Sequence, residues 1–121
     1  MQKFKKATDD FVQNIQDRMN KYMVEHNQPE RKVVLLSRYK WLEVLVKELG
    51  QGSWKVYCYI AMIDFVNKTL GEVKCGDIYR VCKSKPIKHA RGNVFKNSTW
   101  DCIGPYEISR RDSTPWAVFD N

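Results

Sequence analysis

A chain of 121 residues with 43% apolar and 12% aromatic content suffices for one domain with a modest core, which excludes a disordered chain. Its longest apolar run, Val56–Ile63, falls far short of the roughly 18–20 residues of a membrane span. The net charge of +7 favours acidic partners, and its placement says more than its size.

At the N-terminus Lys3, Lys5 and Lys6 meet Asp9 and Asp10 before any apolar stretch forms, which is not the pattern of a signal peptide. The expectation is a soluble cytoplasmic protein without a membrane partner. From Lys3 to His26, Phe4, Phe11, Ile15, Met19, Tyr22, Met23 and His26 recur mostly at intervals of three and four, which predicts one amphipathic helix. Thr8-Asp9-Asp10 would instead cap a shorter helix beginning there, and Asn27-Gln28-Pro29 ends either one. A helix that long packs either on the body of the domain or on a second copy, so a homodimer through it is one alternative.

Ser37 as a cap, the stripe Leu42, Leu45, Val46 and Leu49, and Gly50 as terminator predict a second helix. The character then changes. Trp54–Val66 is rich in aromatic and β-branched residues and reads as a long, mostly buried strand, with a helix as the alternative. Asn67-Lys68-Thr69-Leu70-Gly71 reads as a hairpin loop before Glu72–Lys74, Cys75-Gly76-Asp77 as a turn and Ile78–Cys82 as a strand. Further short strands are expected at Asn93–Phe95, Trp100–Ile103 and Trp116–Phe119. The fold class is therefore α+β: two N-terminal helices over residues 1–49, then a small antiparallel β-sheet with a basic loop over residues 50–121, in one compact domain.

Cys58, Cys75, Cys82 and Cys102 show no CxxC spacing, so packed thiols are expected rather than disulfides or a metal site. No cofactor is expected. Between Ile78 and Trp100 stand Arg80, Lys83, Lys85, Lys88, Arg91 and Lys96 and no acid, so this segment holds nearly all the excess charge. Within it Pro86 stiffens the backbone, and a turn at Arg91-Gly92-Asn93 would form an anion-binding nest of backbone N–H groups. Arg91 would add a bidentate fork for phosphate and Asn93 would read a base edge or ribose hydroxyl. Phe95, Trp100 and Tyr106 offer rings for stacking. The candidate ligand set is Arg80, Lys83, Lys85, Lys88, His89, Arg91, Asn93, Phe95 and Trp100, with Arg110 and Arg111 as a second cluster beside Asp112. The plain alternative is a solvated basic face.

Part of this pattern resembles a family of small phage-encoded proteins. The matching residues are Asp64-Phe65-Val66, Thr69-Leu70-Gly71-Glu72, Lys85-Pro86-Ile87-Lys88-His89, Ala90-Arg91-Gly92-Asn93-Val94-Phe95 and Gly104-Pro105-Tyr106. The resemblance covers about residues 57–106 and departs from the family where Cys82-Lys83-Ser84 stands in place of a tryptophan-bearing stretch. It implies a phage origin, hence the host cytoplasm, and brings no activity with it.

Two functions compete: binding of nucleic acid or a nucleotide through Lys83–Phe95, and inhibition of a host protein, one of defence or of nucleic-acid processing, by direct binding. Catalysis is the weakest reading. His26 lies on the apolar helix face, and His89 stands among cations with no carboxylate nearby in sequence to orient it. Asp64, Glu72 and Asp77 are candidates for a magnesium site but suit turns and strand ends equally well, and no P-loop, GxSxG or HExxH is present.

Overall fold

The computed structural model describes residues 2–48, 54–82 and 85–102. Helix α1 spans Gln2–Glu25 and buries Phe4, Phe11, Ile15, Met19 and Met23, the stripe that the periodicity predicts. Its end has a physical reason in Asn27, which takes φ 55. The amides of Asn27 and Gln28 then donate back to the carbonyls of Val24 (3.2 Å) and Met23 (2.8 Å), a Schellman cap that asparagine tolerates.

The expected second helix does not form. Residues 31–48 make a hairpin of β1 (Arg31–Arg38) and β2 (Trp41–Glu48), turning at Tyr39-Lys40 with Tyr39 at φ 53. Leu42, Val44 and Val46 alternate in β2, and Val33 opposite Val46 and Leu35 opposite Val44 complete one apolar face. Period two, not 3.6, is the operative pattern, and the β-branched run Val33-Val34 favours it. Thus the described part has one helix followed by antiparallel strands.

The expected long strand breaks in two. β3 (Lys55–Ala61) joins the main sheet, whereas β4 (Phe65–Asn67) pairs with β5 (Gly71–Val73) as a separate small hairpin. β6 (Asp77–Cys82) and β7 (Lys85–Asn93) complete an antiparallel sheet of order β1-β2-β3-β6-β7. The stretch expected to be a basic loop is thus mostly the edge strand β7. Pro86 fits because an edge strand leaves one side of its backbone unpaired. Asn97–Cys102 is a short 3₁₀ helix where a strand was expected, and Trp116–Phe119 lies outside the described residues.

The helix lies on one face of the sheet. Phe11, Ile15, Met19 and Met23 pack with Val44, Val46, Cys58, Ile60, Ile78 and Val94. This covering by the body accounts for the apolar helix stripe without a second copy. Asn20 and Gln16 also guard the β1 edge, accepting from the backbone N–H of Arg31 (2.7 Å) and Val33 (3.2 Å). On the opposite face Tyr59, Ala61, Val73 and Tyr79 form a second cluster around Trp41, roofed by Phe65 and Leu70 of the β4–β5 hairpin. Burial, assisted by nearby carboxylate charge, raises both the Tyr59 and the Tyr79 phenol above the ordinary range. Cys58 and Cys75 are free thiols. Burial pushes Cys58 far up, and it raises Cys75, whose thiol donates to the Met62 carbonyl (3.2 Å). No described helix is long and apolar enough to cross a membrane.

Candidate functional site

The most distinctive sequence motif folds into a knot of hydrogen bonds. Gly76 turns the chain at φ 91, its N–H donating to Ala61 O (2.7 Å) and its carbonyl accepting from Val94 N (2.9 Å). Asn93 sits opposite Asp77 in the ladder. Its amide nitrogen donates to the Asp77 carboxylate (2.9 Å) and the Cys75 carbonyl (3.2 Å), and its amide oxygen accepts from Phe95 N (2.8 Å). The Asn93 backbone is engaged as well, donating to Thr99 Oγ1 (3.0 Å) and accepting from Trp100 Nε1 (3.2 Å). This amide is consumed by the fold, so it does not read a base. Gly92 is no part of a nest either: it lies in β7 opposite Ile78.

Beside the knot the chain brings together residues some ninety positions apart. Phe95 leans on Phe4 (centroids 6.2 Å) and Trp100 meets Phe11 edge-on (5.6 Å). Arg18 donates to the Trp100 carbonyl (3.0 Å), pinning the 3₁₀ helix to α1. Between them runs an open groove of about 290 Å³, lined by Lys3, Lys6, Ala7, Asp10, Val94, Phe95, Asn97 and Trp100. Phe95 remains 48% exposed along it.

The electrostatics of this groove are uneven. The first turn of α1 holds lysines and no acid, at the helix end where the backbone dipole is already positive. Such placement disfavours the helix by some tenths of a kcal/mol per charge and is relieved by an anion. Asp9 and Asp10 one turn on relieve it in part, through exposed pairs Lys5–Asp9 (2.8 Å) and Lys6–Asp10 (2.9 Å). The hydrogen bond to Asp10, with its charge, raises the Lys6 pKa and so favours the ammonium form.

Of the residues singled out from sequence, Phe95 and Trp100 reach this groove, Phe95 as an open ring and Trp100 as a core wall with its indole N–H engaged. Lys85 and His89 are exposed on β7, and Lys85 starts that strand opposite Cys82, five steps of β6 or roughly 17 Å from the Asp77–Asn93 end at a strand rise of about 3.3 Å per residue. Lys88 and His89 are the two residues skipped in a β7 bulge, where Ala90 pairs with Tyr79 and Ile87 with Arg80. Arg91 is skipped in a second bulge and is 8% exposed, so its guanidinium presents little of its fork to solvent. Arg80 is half-buried and, by its pairing with Cys58, points to the helix side. Lys83, Arg110 and Arg111 lie outside the described residues.

Sequence reasoning missed Lys3, Lys6 and Asn97. The available signal was Lys3-x-x-Lys6 flanking Phe4 in a first turn without acids. Asp64 and Asp77 are occupied by backbone amides, Cys75 N (2.7 Å) and Lys74 N (3.0 Å), and among the described residues no three potential ligands gather for a metal. His26 stacks on Tyr22 at 3.9 Å and donates Nδ1–H to its carbonyl (2.8 Å), a structural role. In three comparisons no protein-family model, curated protein or solved structure matches the chain.

Proposed function

We propose that the protein binds single-stranded nucleic acid or a phosphate-bearing nucleotide, with the groove between the start of α1 and the Val94–Trp100 segment as the site. The observation that supports this most is the half-exposed Phe95 ring lining one groove with Lys3 and with Lys6, whose ammonium also meets Asp10 there. A ring face holds a base without regard to its identity, and flanking cations hold the phosphate. Asn97 adds an amide at the groove for a sugar or base edge. Lys85 and His89 on β7 extend the basic surface for a longer strand. The chemistry is binding alone. The cytoplasm of a phage-infected host, which the family resemblance implies, is a setting where such a protein would meet single strands.

The test is fluorescence anisotropy with a short labelled oligothymidylate over a salt series. Log affinity should fall linearly with log salt, with a slope of about −0.7 per phosphate contacted. Lys3→Gln with Lys6→Gln should weaken binding about tenfold and flatten that slope by roughly 0.7 for each lysine that meets a phosphate. An unchanged slope in the double variant would remove these lysines from the site.

A further inference from the structure

The sheet has a second face that the groove does not use. By register, Val34 lies opposite Leu45 and Leu45 opposite Val56, on the same side as Tyr59 and Tyr79 and away from the helix. The β4–β5 hairpin roofs the Trp41–Ala61–Tyr79 end of this face, while Leu36 (41% exposed) and Trp54 (38% exposed) stand at the other end with half-buried Val34, Leu45, Val56 and Val81. The rim is cationic. Lys32 is exposed and stands opposite Lys47 in the ladder, and Lys47 lies over the Trp54 ring at 4.7 Å. Among the described strand residues at this end, the carboxylate on the face is Glu43, buried and paired with Arg38 at 3.3 Å.

We infer that this face docks an acidic polypeptide segment with apolar anchors, such as one amphipathic helix of a partner protein. Aliphatic side chains offer a base neither a stacking plane nor a hydrogen bond, so the centre of the patch suits a protein rather than a nucleic acid. A second copy of this chain would set the Lys32–Lys47 pair against a like pair, which like-charge repulsion disfavours. An acidic amphipathic helix answers both features: leucine-like anchors fill the shallow centre beside Trp54, and glutamates meet the rim. An exposed tryptophan under a lysine is also the kind of residue that dominates binding energy in protein interfaces. The inference is independent of the nucleic-acid reading, since the two surfaces lie on opposite sides of the sheet.

The experiment titrates the full chain with a synthetic amphipathic peptide of leucine and glutamate, and with its leucine–lysine counterpart, following backbone amide shifts by NMR. The glutamate peptide should bind and shift the amides of Val34, Leu36, Leu45 and Val56, while those of Lys3–Ala7 and Val94–Asn97 stay in place. Lys32→Glu, at an exposed position that leaves the fold alone, should weaken it about tenfold, and Leu36→Ser should do the same. Oligothymidylate affinity should be unchanged in both variants. Failure of the glutamate peptide to bind, equal binding of the lysine peptide, or shifts confined to other surfaces would overturn the inference. So would oligothymidylate shifting the same four amides, or a dimer by sedimentation that Leu36→Ser dissociates.

Discussion

Replacing Gly76 by alanine should lower stability by about 2–5 kcal/mol, which for a domain of this size is a fall of roughly 10–20 °C in Tm. Two causes add. At φ 91 an L side chain is strained, by about 1–2 kcal/mol. A Cβ there would also stand 2.8 Å from Phe95 Cδ2 and 2.9 Å from Asn93 Oδ1, so the ring and the amide at the centre of the knot must move. Gly71 supplies the control. It has φ 79 but nothing within 4 Å of a built Cβ, so Gly71→Ala should cost the backbone strain alone. Thermal melts of the two variants separate strain from crowding. Equal losses would mean that the approach of Phe95 to Gly76 contributes nothing.

Asn93→Asp should be comparably severe, by roughly 3 kcal/mol near neutral pH. The change deletes the donor that serves Asp77 and the Cys75 carbonyl and sets a second carboxylate about 3 Å from the first. The sign of the pH dependence follows. Two close carboxylates hold a shared proton more tightly folded than unfolded, so the variant gains stability relative to wild type as pH falls from 7 towards 4. Asn93→Ala loses the hydrogen bonds without adding charge and should show no such relative gain. Denaturant melts at both pH values measure this. A pH-independent gap between Asn93→Asp and wild type would contradict the hydrogen bond to Asp77.

These substitutions bear on why the Ala90–Phe95 motif stands out in the sequence. Asn93 and Phe95 were legible as special, but the type of role was not. An asparagine amide that ties a turn to an edge strand and one that reads a base look alike in one dimension. The contact that distinguishes them runs to Asp77 and the Cys75 carbonyl from Asn93, the last residue of a strand whose existence the sequence obscured. Pro86 and Gly92 are loop signals, and both sit in β7 because an edge strand accepts proline and bulges absorb irregular spacing.

The helix α1, the Asn67–Gly71 hairpin loop and the Cys75-Gly76 turn were legible because period and turn chemistry agree there. Residues 37–49 were not. Leu42, Leu45, Val46 and Leu49 satisfy helical spacing, while Leu42, Val44 and Val46 satisfy strand alternation equally well. What decides is β1, whose Val33 and Leu35 supply the pairing partners that a local window omits. The groove was half legible. Its Phe95 lay in the basic segment, whereas Lys3 and Lys6 join it through the contact of Phe4 with Phe95, which no local pattern announces. Most of the conspicuous cations on the segment instead spread along β7 or turn inward.

The central claim is that ligand binds between α1 and Phe95 rather than along the Arg91–Asn93 motif. The most direct measurement is a backbone amide shift map of the protein titrated with short oligothymidylate. The groove predicts the largest shifts at Lys3, Lys6, Ala7 and Val94–Asn97, saturating together, and their loss in Phe95→Leu, which keeps an apolar contact on Phe4 but removes the stacking ring. Stacking contributes about 1–3 kcal/mol per base, so that variant should bind roughly 5- to 150-fold more weakly. Shifts centred on Lys85–His89 with full affinity in Phe95→Leu, or no saturable shifts at all, would contradict it.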